Sequence, residues 1–143
     1  MTDRDRLFAN ILVGDELPDL RIPITRSLIV AGAIASRDYQ DVHHDPELAR
    51  ERGSRDIFMN ILTSNGLVER YVRSWAGPGA VLKQLKIQLG APNYPGDEMR
   101  LHGVVTEADI ANGQIALSVA GDNSLGIHLS GSAVLQLPTP FVA

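Results

Sequence analysis

The chain has 143 residues, 44% hydrophobic and 21% charged, which fits one globular domain able to bury about 68–70% of its unfolded surface in a single core. Its formal net charge of −4 comes with no basic stripe carrying interleaved aromatics, which argues against nucleic acid as a partner. The absence of cysteine rules out disulfides, thiolate metal sites and cysteine nucleophiles.

Residues 1–13 read as a short amphipathic lead-in, charged at Asp3, Arg4, Asp5 and Arg6 and without the apolar core of a signal peptide. No apolar run approaches the roughly 18 residues of a membrane span, so a soluble cytoplasmic protein is expected. Gly14-Asp15-Glu16-Leu17-Pro18 is a turn, with a short extended stretch through Ile24. Thr25 or Ser27 is placed to cap a helix over Leu28 to Arg37, with Ala31, Ala33, Ile34 and Ala35 as its packing residues. Asp45-Pro46 starts a second short helix that Gly53 ends.

The longest helix is expected from about Ile57 to Trp75, where Ile57, Ile61, Val68, Val72 and Trp75 recur at helical spacings before Gly77-Pro78-Gly79. Ser64-Asn65-Gly66 interrupts the stripe, either because another backbone approaches Gly66 or because a polar floor faces a ligand. Strands follow. Leu85, Ile87 and Leu89 alternate with Lys86 and Gln88 between Val81 and Gly90, and Pro92 and Pro95 make a bend of residues 91–97. Met99 to Ala108, Ile115 to Ala120 and His128 to Leu137 are further strands, turned at Asn112-Gly113 and at Gly121-Asp122-Asn123. Helices first and an antiparallel run afterwards give an α+β fold, with one long helix for the sheet to wrap.

The chemistry concentrates in Asp38-Tyr39-Gln40-Asp41-Val42-His43-His44-Asp45-Pro46. Adding water to a double bond needs one group to deprotonate the water and another to orient it and manage the second proton. Asp38 and His43, five positions apart across a short bend, supply a carboxylate and an imidazole for this. His44 points elsewhere if neighbouring side chains diverge, Asp45 is explained as a helix cap, and no further ligand cluster supports a metal site. Asp97 is a turn-maker, and His102 and His128 are surface or core features of strands.

The order of the turn at Gly14-Asp15, Asp38 to Asp45-Pro46, the long helix, Pro95-Gly96-Asp97, Asn123-x-x-Gly126 and Gly131-x-Ala133 resembles the MaoC-like, R-specific enoyl-CoA hydratases of the hotdog fold. Gln40 to Asp45, Asp56 to Leu62, Arg70-Tyr71 and Trp75 to Pro78 look most like one branch, the small subunits of heteromeric hydratases in bacterial steroid side-chain degradation. Two positions depart from the common pattern: Asp41-Val42 stands for Asn-Pro, and Met59-Asn60 stands for His-Gly at the start of the long helix.

The resemblance implies a catalytic pair, Asp38 and His43, acting on a 2-enoyl-CoA thioester. A backbone N–H near Asn60 would serve as oxyanion donor, with Ser64 and Asn65 as further substrate-binding candidates. Lys83, Lys86, Arg70 and Arg73 are candidates for the CoA phosphates. It also implies no cofactor beyond the CoA of the substrate, and a larger MaoC-like partner subunit on which an aldolase docks. Two other readings stay open: a hotdog thioesterase using Asn60 or Asn65, and a non-catalytic assembly subunit.

Overall fold

Gly14 turns the chain with φ +96°, a conformation glycine adopts without penalty, and β1 (Glu16–Pro23) follows. The computed structural model describes residues 10–138; the lead-in over residues 1–9 lies outside the described residues, and Asn10 to Val13 carry no helix. Thr25 caps α1 (Arg26–Ala35), its hydroxyl accepting the Leu28 N–H at 3.0 Å. The helix therefore starts and stops two residues earlier than expected. Of its expected packing residues only Ala33 is buried; Ile29 is the other inward residue, and Ile34 is 58% exposed. Positions 29 and 33 share a face one turn apart, whereas Ile34 is rotated about 100° away from Ala33.

A single 3₁₀ turn at Asp41–His43, not anticipated from the sequence, leads to α2 (Pro46–Glu51). Asp45 caps that helix as expected, accepting the Glu47 and Leu48 N–H groups, and Gly53 follows at φ +91°. The long helix, α3 (Ile61–Ala76), begins four residues later than its apolar spacing suggested. Asn60 is its cap, and the segment before it is held open by two long-range bonds, Phe58 N–H to Val42 O and Met59 N–H to Asn93 O, both 3.1 Å. Ile57 is buried from this segment, whereas Ile61 is 46% exposed and not part of the helix's inward face. That face is Ser64, Leu67, Val68, Tyr71, Val72 and Ala76.

Gly66 lies on the exposed side of α3, and a Cβ built there meets nothing within 4 Å. Close approach of another backbone therefore does not explain it. Gly66→Ala is expected to stabilise the protein by about 0.5–1 kcal/mol, because a mid-helix glycine carries the larger entropy loss on folding. Thermal unfolding of the variant checks this.

After Gly77 come β2 (Val81–Leu89), β3 (Glu98–Asp109), β4 (Gln114–Asn123) and β5 (Gly126–Gln136). The five strands form one antiparallel sheet in the order β1-β3-β4-β5-β2. Each of its four pairings carries a register irregularity, and bulges of this kind bend a sheet. Met99, Leu101, Ile115, Leu117, Leu129, Ala133 and Leu135 are fully buried and share one core with Val68 and Val72 of α3. The result is the expected α+β hotdog arrangement. The hairpin turn expected at Gly121-Asp122-Asn123 is displaced to Ser124-Leu125, because those three residues remain in β4. No helix is long and apolar enough to cross a membrane among the described residues.

Candidate active site

A Cβ at Gly32 would collide with the side chain of Thr63, so α1 and α3 meet at a point that only glycine permits. This contact brings the C-terminal end of α1 against the N-terminal end of α3. Arg37 then leaves the helix with φ +54°, and Asp38 returns its N–H to Ala33 O at 2.9 Å. The 3₁₀ turn swings His43 back, and its Nε2 lies 3.3 Å from Asp38 Oδ2. The two residues singled out from the sequence thus converge. The Asp38 side chain is 18% exposed and that of His43 only 7%, so the pair is mostly buried without being sealed from solvent.

His43 Nδ1–H donates to the Phe58 carbonyl at 2.7 Å, and its ring meets the Phe58 ring edge-on with centroids 5.0 Å apart. A carbonyl only accepts, so the neutral imidazole carries its hydrogen on Nδ1 and turns a lone pair on Nε2 toward Asp38. Asn60, 2% exposed, donates from Nδ2 to Asp38 Oδ2 at 3.1 Å and to Ser36 Oγ at 2.9 Å. The Asn60 bond is the foremost reason that the Asp38 carboxyl is held below the usual carboxylate range; burial opposes it, and the Gln40 N–H adds to it, as does the charge of His43 when the imidazole is protonated. With the imidazole neutral, the site presents an ionised carboxylate and an imidazole lone pair at a common point.

The other candidates fall differently. The Asn60 backbone N–H has no acceptor among the described residues and sits at the N-terminus of α3. Ser64, in contrast, is unavailable to a ligand: it is completely buried, with Oγ 2.8 Å from His128 Nε2. Asn65 is half-buried and no hydrogen bond joins it to the Asp38–His43–Asn60 group. His44 is exposed and turned away, as expected. Lys83, Lys86, Arg70 and Arg73 are exposed on β2 and α3, and Arg73 pairs with Glu69 at 3.3 Å. Asp97 accepts from the Ser124 hydroxyl at 2.6 Å and from the Glu98 N–H at 2.8 Å, a turn-maker as read from the sequence. His102 is half-exposed, 2.9 Å from Asp122. No group of three His, Asp or Glu side chains is arranged as metal ligands among the described residues.

Ser36, Thr63 and the Phe58 carbonyl belong to the site and were not picked out from the sequence. A local signal existed for one of them: Asn60 is a good cap residue, and a cap side chain accepts from the backbone N–H three positions on, here that of Thr63. The Phe58 carbonyl has no such signal, because the 57–60 segment is placed by the Asn93 carbonyl and Asn93 is held in turn by Asn123 Nδ2 at 2.8 Å.

His128 is a core histidine, 1% exposed, and its Nδ1–H donates to Ala91 O at 2.7 Å. Burial lowers its pKa, opposed by the Ala91 bond. A depressed imidazole pKa means that the unfolded chain binds the proton first. This contribution to stability is complete above the unfolded value of about 6.5 and is lost as the pH falls below it. Urea unfolding between pH 7 and pH 5 is expected to show a falling midpoint, and His128→Gln is expected to flatten that slope.

No protein-family model matches the chain. Among curated proteins it is 44% identical over 126 residues to the 3-oxo-4,17-pregnadiene-20-carboxyl-CoA hydratase beta subunit of Mycobacterium tuberculosis, a match spanning 88% of this chain and 96% of that protein. The chain belongs to the MaoC-like hydratase family, in the branch of this beta subunit. Among solved MaoC-like structures, a chain of the ChsH1–ChsH2 complex from M. tuberculosis superimposes with a TM-score of 0.85 at 44% identity, covering 89% of this chain and 98% of that one. An (R)-hydratase from A. caviae involved in PHA biosynthesis superimposes at 0.83 with 21% identity, over 90% and 98% of the two chains, and shares the fold. Within the MaoC-like frame, the departure at Asp41-Val42 keeps a local purpose. Asp41 meets Arg52 at 2.8 Å, while the Val42 carbonyl, a group any residue there would supply, holds the Phe58 N–H.

Proposed function

We propose that the chain is the catalytic subunit of an enoyl-CoA hydratase that adds water to a 2-enoyl-CoA thioester of a steroid side chain. The observation that carries this reading is the 3.3 Å approach of Asp38 Oδ2 to His43 Nε2 with the imidazole tautomer fixed by Phe58. Both atoms are acceptors in that state, so one water can donate a hydrogen to each and keep an oxygen lone pair for the β-carbon. An imidazole is a stronger base than a carboxylate, and Asn60 weakens the Asp38 carboxylate further. His43 Nε2 accordingly takes the proton as the C–O bond forms, and Asp38 stabilises the imidazolium. The proton returns from the pair to the α-carbon, so the elements of one water are added with nothing left over. Negative charge on the thioester oxygen is met by the free Asn60 N–H at the helix N-terminus. CoA is part of the substrate, and no step calls for a cofactor.

The substrate class rests on the name of the 44% identical relative, and a partner subunit rests on the ChsH1–ChsH2 complex, one chain of which this chain resembles; that the partner is larger rests on the branch resemblance. Large apolar side chains beside the site, Tyr39 at 67% exposure and Ile61 at 46%, favour completion of the acyl tunnel by such a subunit. A thioesterase reading has less support, because the Asn60 side chain is occupied by Asp38, Ser36 and Thr63. The test is to co-purify the chain with a larger MaoC-like subunit and follow the conjugated absorbance of a steroid enoyl-CoA. Loss of absorbance without thiol release is expected; thiol release would favour the thioesterase, and neither change would favour the assembly subunit.

A further inference from the structure

The amide of Asn60 makes four contacts, which is all an amide can offer. Its Oδ1 accepts the Thr63 N–H at 3.0 Å and the Thr63 hydroxyl, and its Nδ2 donates to Asp38 Oδ2 and to Ser36 Oγ. The Thr63 N–H can only donate, which fixes which end of the amide is oxygen. Ser36 is equally committed: its hydroxyl donates to Gly32 O at 2.6 Å and so accepts from Asn60. Gly32 in turn lies under the Thr63 side chain. The loop of contacts closes, with the carboxylate as its single outward branch.

We propose that Asn60 is the positioning residue of the Asp38–His43 site, capping α3 through its oxygen while its nitrogen holds the carboxylate in the orientation that meets His43. Neither glycine nor alanine at position 60 has a group for either task. The donor also favours the charged form of Asp38, consistent with the direction of its ionisation shift. The catalytic consequence rests on the hydratase reading, whereas the geometry does not.

Asn60→Asp and Asn60→Ser both keep an oxygen that can cap the helix, since Asp and Ser are good N-caps, but both remove the amide donor. The aspartate also sets a second carboxylate against the first, so the pair shares a proton at higher pH. Two measurements separate this proposal from the function it deepens. The first is the carboxyl ¹³C titration of Asp38 in the full chain: wild type is expected to remain ionised down to the ordinary aspartate value of about 3.9, and Asn60→Asp to titrate more than one pH unit higher. The second is the kinetics of the co-purified complex, where kcat of Asn60→Ser is expected to fall about 10- to 100-fold with KM unchanged, as for a displaced catalytic group. An upward shift of the Asp38 titration in a complex that hydrates nothing upholds the positioning and rejects the hydratase. An active hydratase with Asp38 titration and kcat unmoved in both variants overturns the proposal. If Asn60→Asp does not fold, the titration is read on Asn60→Ser, where an unchanged Asp38 midpoint is likewise the overturning result.

Discussion

Asp38→Asn and His43→Gln are each expected to lower kcat of the complex by about 10²–10⁴-fold, the range for losing one member of an acid–base pair. The two substitutions remove different things. His43→Gln keeps a group able to meet the Phe58 carbonyl but has no lone pair of comparable basicity to draw a proton from water. Asp38→Asn keeps an oxygen that can still accept the Asn60 amide, so the local fold survives, but it removes the negative charge 3.3 Å from His43 Nε2. Because the two side chains act on one water, the double variant is expected to be hardly slower than the slower single one. Multiplicative losses in the double variant would mean that they act in separate steps. Circular dichroism and thermal midpoints close to wild type are part of the expected result.

The largest structural effect is expected at Gly131. It stands opposite Ile87 where β5 pairs with β2, and a Cβ there would sit far closer to the Lys86 carbonyl oxygen than van der Waals contact allows. That oxygen belongs to backbone already committed to the sheet, so a rotamer change cannot relieve the clash. Gly131→Ala is expected to cost about 3 kcal/mol, at the upper end of overpacking, and to lower Tm by roughly 10 °C. The same substitution at Gly66, where the space is open, is expected to act in the opposite direction. Differential scanning calorimetry of the two variants side by side makes the comparison, and equal shifts would refute the steric account.

Much of the fold was legible because its signals are local. Thr25 and Asp45 are cap residues followed by helices, and the alternation of Leu85 and Ile87 with Lys86 and Gln88 marks a strand half-covered on one face. The pair itself was legible because its members stand only five positions apart in a segment that resembles the MaoC-like pattern; without that resemblance Asp38 reads as a helix-end or turn residue. The errors arose where distant residues decide. Ile57 and Ile61 are one helical turn apart in spacing, yet Val42 and Asn93 hold residues 58 and 59 out of the helix. Gly121 looks like a turn residue, but a Cβ there would press on Leu101 and Leu129, so its smallness serves the core beneath the sheet. Ser64 breaks an apolar stripe and invites a ligand, whereas its partner is a histidine 64 positions away.

The brace from Asn123 through Asn93 to Met59 has a consequence for how this chemistry can be inherited. Every titratable group of the site lies in the first third of the chain, yet the carbonyl that sets the imidazole is steadied from the final hairpin. A segment excised before that hairpin would retain the reactive atoms and forfeit their alignment, so the helical half cannot travel between proteins as a self-sufficient module.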